Sequence, residues 1–336
     1  MNTFLHKLGF AQIYLWSSNS GSTLMTDALF SVKYALTDKD IQKNDPEKKI
    51  VSWNPLPLDP YERVRKYDGT ILYRNPYVLA PCYAASDAVG RFEWGEDPLD
   101  SQNHLMNALM GDDTEYFIKL KRGTEYSENK TAKTTTYLIT MPYSGPLYAY
   151  FPKGTSGESP PETPLKINNE YELDLYINET DCTLFMGTYE KGEVVAISIE
   201  ADSEKLKTSG NIFYVLDMKA FTNSVSALRK QQIEVSDWGA GYLEGTIEAK
   251  ENQVVFTGIT YDKGWHVFVD GAETEAKALE GGLLYFDITP GAHTIELRYQ
   301  AEGKRSGFMI SAVACVVLLA YSTGQLIRKM KKKAAA

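Results

Sequence analysis

The sequence predicts a mainly β protein with some α structure. β-Sandwich or jelly-roll-like modules follow a small mixed α/β N-terminal part, and one C-terminal transmembrane helix closes the chain. Three observations carry this. From Tyr116 onward, runs rich in Tyr, Val, Ile and Thr alternate with period two and are broken by turn residues about every ten positions. Aromatics are 12% of the residues, including 22 tyrosines, as strand-rich cores favour. Gly307 to Ile327 contains no charged side chain. With 336 residues, the chain is long enough to bury more than one core.

Residues 1–112 read as the mixed N-terminal region. Phe4, Leu5 and Leu8 start an amphipathic helix, SNSGST is a turn, and FSVKYALT (Phe30–Thr37) alternates like a strand. Asp38–Pro60 is a polar, proline-containing loop. Thr70–Ser86 reads as strand interrupted by Pro76 and Pro81. The clearest soluble helix is Asp97–Gly111. Asp97 caps it, Pro98 suits its first position, and Leu99, Leu105, Met106 and Leu109 share a face. Gly111 suits a left-handed end. Gln102, Asn103 and His104 read as solvated or packing residues.

Residues 113–217 form a first β module, with a Pro/Gly/Ser-rich loop at Lys153–Pro164. In 218–244, a helix over Met218–Ile233, capped by Asp217, leads into a linker. A second β module occupies 245–305. LITMPYSGPLYAYF (Leu138–Phe151) echoes FTGITYDKGWHVFV (Phe256–Val269), with Tyr143 matching Tyr261 and Leu147 matching Trp265. The echo points to two related modules.

The apolar run 307–327 has 21 residues, which at about 1.5 Å each span about 30 Å, the thickness of a bilayer core. It shows no one-sided stripe and ends in RKMKKK. That basic cluster places the tail 328–336 in the cytoplasm and the bulk of the chain outside, since only Lys304 and Arg305 flank the other end. The N-terminus lacks an uninterrupted apolar stretch of the export-signal kind. Either the orientation is reversed or further membrane spans precede this chain. The second reading is preferred, and it makes the chain the end of a larger polytopic protein.

Before Arg328 the chain carries 30 basic against 44 acidic residues, a net of −14, which argues against nucleic acid as a partner. No Cys/His cluster has zinc spacing, and no phosphate-loop, metalloprotease, EF-hand or nucleophile-elbow motif occurs. Of three cysteines, Cys82 and Cys182 are the pair that an oxidising compartment would allow to bond. The four histidines, His6, His104, His266 and His293, are well separated.

TYDKGWHVFVDG (Thr260–Gly271) concentrates Asp262, Trp265, His266 and Asp270 in the manner of a sugar-handling site. A strand places Asp262 and Asp270 at its opposite ends. At about 3.3 Å per residue their backbones lie more than roughly 20 Å apart, against about 5–10 Å for paired glycosidase carboxylates. The segment reads as a tight hairpin, with Tyr261 and Trp265 as a candidate surface contact and no catalytic residue. A free-standing glycosidase using acids brought together by folding is the weakest alternative.

VVFTGITYDKGWHVFVDG, PGAHTIELRY and the glycine and SGFMIS before the span resemble the C-terminal end of the YfhO-like bacterial membrane proteins. FLHKLGF, FSVKYALT, NPYVLAPCYAAS and DPLDSQNHLMNALMG agree. The resemblance covers nearly the whole chain and is looser over Lys153–Lys207. It implies a large polytopic protein whose membrane half is similar to GT-C glycosyltransferases. Such a protein would move sugar from a lipid-linked donor onto envelope polymers of the teichoic acid type, with its catalytic carboxylate outside this sequence. It implies no cofactor bound by this chain. The expected partners are the lipid bilayer, a lipid-linked sugar and an anionic polymer. The acidic body would meet that polymer through bridging divalent cations or aromatic stacking. A non-catalytic envelope-assembly scaffold is the alternative.

Overall fold

The computed structural model describes residues 1–13, 16–17, 19, 21–37, 60–120, 124–127, 133–151, 163–168, 171–175, 183–201 and 212–334. The Asp38–Asp59 part of the N-terminal loop, most of Lys153–Pro164 and Cys182 lie outside these.

The N-terminal region begins with α1 (Asn2–Lys7), the short strands β1 (Gln12–Ile13) and β2 (Trp16–Ser17), and α2 (Leu24–Leu29). Helix α2 starts at Thr23, whose side chain accepts the Thr26 N–H in a capping box. A three-stranded sheet, in the order β3–β5–β4, follows from β3 (Tyr34–Thr37), β4 (Glu62–Tyr67) and β5 (Thr70–Arg74). Strand β6 (Cys82–Ser86) begins directly after Pro81, where the sequence predicts a break. Helix α3 (Pro98–Met110) has the expected ends. The Asp97 carboxylate accepts the N–H groups of Leu99 and Asp100 at 3.0 and 3.1 Å, and Gly111 sits at φ +71°.

The first sandwich holds β7 (Phe117–Lys119), β8 (Thr124–Ser127), β9 (Lys133–Thr140), β10 (Gly145–Tyr150), β11 (Thr163–Ile167), β12 (Tyr171–Leu175), β13 (Thr183–Tyr189), β14 (Val194–Ala201) and β15 (Ile212–Leu216). Its sheets run β13–β10–β15–β7 and β12–β11–β14–β9–β8, all antiparallel. Tyr137, Ile139, Leu147, Leu165, Ile197 and Phe213 fill the space between them.

Helix α4 (Met218–Arg229) leads to the second sandwich. This is built from β16 (Glu234–Gly239), β17 (Tyr242–Ala249), β18 (Gln253–Thr260), β19 (Trp265–Val269), β20 (Ala272–Thr274), β21 (Lys277–Leu279), β22 (Leu283–Asp287) and β23 (Gly291–Tyr299). Its sheets run β16–β17–β23–β19–β20 and β21–β22–β18–β6. Two features differ from the sequence reading. The stretch after α4 is a strand rather than a linker, because β16 pairs with β17 from Glu234↔Thr246 to Gly239↔Tyr242. The second sandwich also takes an edge strand, β6, from the N-terminal region.

The two sandwiches share a strand order. The sequence β10–β15–β7 in one corresponds to β19–β23–β17 in the other, and β14–β9–β8 corresponds to β22–β18–β6. The sequence echo falls on equivalent elements, β9–β10 and β18–β19. In both cases the two strands lie in opposite sheets, so the intervening turn is an arch that carries the chain across the core.

A third core lies between the sandwiches. Strand β10 is buried on both faces: Leu147 and Ala149 point into the first sandwich, and Tyr148 points out toward the helices. Strand β18 does the same, with Val255 inward and Val254 and Phe256 outward. Leu99, Leu105, Met106 and Leu109 of α3 and Phe221, Val225 and Leu228 of α4 fill this layer. Buried polar side chains pin it. Asn103 accepts the N–H groups of Tyr116 and Phe117 and donates to the Phe117 carbonyl. Gln102 donates to the Leu8 carbonyl at 2.7 Å and accepts the Thr23 hydroxyl at 2.6 Å. Both are packing residues, while His104 stays exposed and contacts the Glu93 carbonyl.

Helix α5 (Lys304–Ala334) is longer than the predicted span because Lys and Arg continue a helix well and favour its C-terminal end.

Candidate functional site

The Thr260–Gly271 segment is not a hairpin at its first turn. Strand β18 belongs to one sheet and β19 to the other, so Tyr261–Gly264 forms the arch. The turn is closed locally. The Asp262 carboxylate accepts the Gly264 N–H at 2.8 Å, and the Asp262 carbonyl accepts the Trp265 N–H at 3.1 Å. A Cβ at position 264 would lie 2.6 Å from the Gln300 carbonyl oxygen, so only glycine fits against that backbone. The second turn is a true hairpin. Val269 pairs with Ala272 across Asp270 and Gly271, whose φ values of +52° and +79° suit the positive-φ two-residue turn.

The reactive types in the segment are all engaged in structure. Asp270 accepts the Thr294 N–H at 2.9 Å and contacts His293 Nδ1 at 2.7 Å. The His293 bond first, then the Thr294 bond, lower its carboxyl below the usual value. His266 Nδ1 contacts Glu273 at 2.7 Å. Asp262 and Asp270 are thus anchored at opposite ends of β19, each to its own turn. Among the described residues, no group of three metal-ligating side chains occurs.

Tyr261 and Trp265 lie half-buried on the rim of the second core. Trp265 meets Tyr299 with ring centroids 5.1 Å apart at 56°, and the two are directly paired across β19 and β23. Partial burial first, and Asp262 second, push the Tyr299 hydroxyl pKa up. The same end of this sheet carries Trp238, which is 77% exposed, and Tyr242, paired with Arg298. The Glu244 carboxylate accepts the Tyr242 hydroxyl and raises its pKa to about 12. Here the chain also leaves the sandwich. Gln300 donates its N–H to the Gly264 carbonyl at 2.8 Å, and α5 begins at Lys304. Its side chains, among them Phe308, Val313, Leu318 and Leu319, are exposed all round, and it is long and apolar enough to cross a membrane. Four residues therefore separate Tyr299 of this aromatic rim from a candidate span.

Residues 1–311 match the family described as bacterial membrane protein YfhO. The chain belongs to the YfhO family. No curated protein matches it. Among solved structures, a cycloisomaltooligosaccharide glucanotransferase from a Paenibacillus species, crystallised with cycloisomaltoheptaose, is 9% identical with a TM-score of 0.17. The match covers 54% of this chain and 45% of that one. Procruciferin, an 11S globulin of Brassica napus, is 10% identical with a TM-score of 0.11, over 56% of this chain and 82% of that one. Neither likeness is close enough to bear on fold or function.

Two features of this YfhO-family chain were not legible as site elements. Trp238 carries no motif, and only its register opposite Leu243 places it beside the exit to α5. Asp27 sits inside an apolar-looking stretch, yet it is a buried carboxylate. The cysteine reading is also sharpened: Cys82 is a free thiol, fully buried, and burial raises its pKa to about 12.

Proposed function

We propose that this chain is the extracytoplasmic body and closing membrane helix of an envelope glycosyltransferase. That enzyme moves sugar from a lipid-linked donor to a teichoic-type polymer. Catalysis belongs to a membrane portion outside this sequence. The β body stands on the outer membrane surface, supports that portion and holds the acceptor. The observation that carries this reading is the four-residue step from Tyr299 to α5. On this reading a rim of Trp238, Tyr299 and the half-buried Trp265 stands at headgroup level, where lipid-linked donors lie. The basic residues Arg328–Lys333 support a cytoplasmic C-terminus.

The test uses the full-length protein in proteoliposomes, with a radiolabelled polyprenyl-linked sugar as donor and teichoic polymer as acceptor. Label transfer to the polymer is expected, and no transfer from any such donor overturns the reading. The separation of Asp262 from Asp270 favours a second reading, a non-catalytic assembly scaffold, which predicts polymer binding without transfer. In either case the body, with 30 basic and 44 acidic residues before Arg328, meets an anionic polymer against like charge, so magnesium strengthens the contact by bridging. Polymer binding that magnesium leaves unchanged would remove the bridging step.

A further inference from the structure

The three-stranded sheet β3–β5–β4 carries the opposite charge to the rest of the body. Across its strands and the residue before β3, Lys33, Arg63, Arg65, Lys66 and Arg74 stand against Glu62 and Asp68. The chain before Arg328, by contrast, has 30 basic and 44 acidic residues. Arg74 Nε donates to the Glu62 carboxylate at 2.9 Å, so one of the two acids is already paired within the sheet. Asp68 and Gly69, at φ +31° and +88°, close the β4–β5 hairpin in a two-residue turn.

The register divides this sheet into two faces. Ile71 and Tyr73 of β5 are fully buried and join the core layer between the sandwiches. Leu72 and Arg74 alternate with them and point the other way. Leu36 and Arg65 lie directly opposite Leu72, Tyr34 and Glu62 lie opposite Arg74, and Tyr67 lies opposite Thr70. On this outer face Leu36 is 67% exposed, and Tyr34 and Tyr67 are 51% exposed each. The Arg65 guanidinium sits over the Tyr67 ring, 4.4 Å from its centroid, and Lys33 Nζ lies 5.5 Å from that of Tyr34. Positive charge and exposed apolar surface thus share one face.

The foot of the sheet lies at the end of the second sandwich from which α5 leaves. A Cβ on Gly258 would stand 3.3 Å from the Phe30 backbone, four residues before Tyr34. Asn75, next after β5, is tied to the same place by its N–H to the Lys33 carbonyl at 2.9 Å and its amide to the Val32 carbonyl at 3.1 Å. From Gly258, β18 runs two residues to Thr260 and enters the arch whose Gly264 carbonyl accepts the Gln300 N–H.

An anionic partner matches the charge of the face, and its apolar part selects among anionic partners. A soluble phosphodiester polymer satisfies arginine and lysine but offers nothing to Leu36 and Leu72. A bilayer surface with anionic headgroups takes both kinds of group. Its phosphates pair with Arg and Lys, while Tyr and Leu reach the boundary between headgroups and acyl chains. We infer that the outer face of β3–β5–β4 docks on anionic lipid headgroups and gives the body a second foothold on the bilayer beside α5. This deepens the reading that the body stands on the membrane surface, and it rests on that reading for the placing of the body.

The test replaces Leu36 with the photoreactive residue p-benzoylphenylalanine in the full chain. The protein is reconstituted in nanodiscs of phosphatidylcholine alone or of phosphatidylcholine mixed with phosphatidylglycerol, and lipid adducts are read by mass spectrometry. Adducts should be about fivefold or more abundant in the anionic discs. Arg65→Gln combined with Lys66→Gln should remove most of that excess. Equal yields in the two kinds of disc, a comparison that needs no charge variant to fold, overturn the inference. An excess that the double substitution leaves intact also overturns it. So does crosslinking to added poly(glycerol phosphate) in place of lipid, which would assign the face to a polymer. Sugar transfer by the full-length protein is measured separately. Its failure with lipid adducts present would sink the enzyme reading alone.

Discussion

Trp265 and Tyr299 face one another across two paired strands, their ring centroids 5.1 Å apart, at the place where the β body hands the chain to its apolar helix. The pair closes the end of the second core, beside the chain's passage from sandwich to candidate membrane helix. Trp238, beside it, contributes almost nothing to that core, being 77% exposed. The two tryptophans therefore have separable roles.

In bilayers containing brominated lipids, Trp238→Phe should remove a quenched component of the tryptophan emission and leave stability within about 0.5 kcal/mol of the parent. Trp265→Ala should cost about 2 kcal/mol, less than a fully buried Trp, because its ring is only half buried. Quenching that Trp238→Phe leaves unchanged would place the rim away from lipid.

Burial raises the Asp27 carboxyl from 3.8 to about 6, against smaller lowering effects of Tyr61 and Ser22. The folded state therefore holds its proton more tightly than the unfolded chain. The associated stability is fully present below about pH 4 and is lost as pH rises through about 6. The difference amounts to about 3 kcal/mol. Asp27→Asn should flatten this part of the profile, so that the variant gains on the parent between pH 4 and pH 7 in thermal melts. Parallel melting curves across that window would contradict the burial of the charge.

Asp270 behaves in the opposite sense. Its lowered carboxyl pKa makes its contribution present at neutral pH and lost as pH falls below about 4 through the folded value. Asp270→Asn should narrow the melting-temperature gap between pH 7 and pH 3 relative to the parent.

Asn103 ties α3 to β7 through three hydrogen bonds, two accepted and one donated. Asn103→Ala leaves two N–H groups and a carbonyl unpaired in a buried layer and should cost about 3 kcal/mol. His104→Ala, one residue on and exposed, should fall within about 0.5 kcal/mol of the parent. Equal effects at the two positions would mean that the helix is turned from the orientation described.

Much of the fold was readable where its causes are local. Asp97, Pro98 and Gly111 each act on backbone within one turn, so α3 begins and ends where its sequence says. Period-two runs marked the strands of both sandwiches, and the echo between Leu138–Phe151 and Phe256–Val269 marked equivalent arches. The arch itself was read as a hairpin. A tight turn between two strands carries the same residues whether its strands pair or part to opposite sheets, and partner strands far along the chain decide between the two.

The sequence by itself determined the β-rich class, the limits of α3, the apolar span and the family to which the chain belongs. All of these rest on periodicity, capping chemistry or unbroken hydrophobicity over neighbouring residues. Only the tertiary structure decided that β6 completes the second sandwich, that Trp265 stacks on Tyr299 at the exit to α5, and that Asp27 is sealed away with one oxygen unpaired. Those outcomes depend on contacts between segments distant in sequence, where burial and pairing are properties of the assembled layers rather than of any stretch of residues.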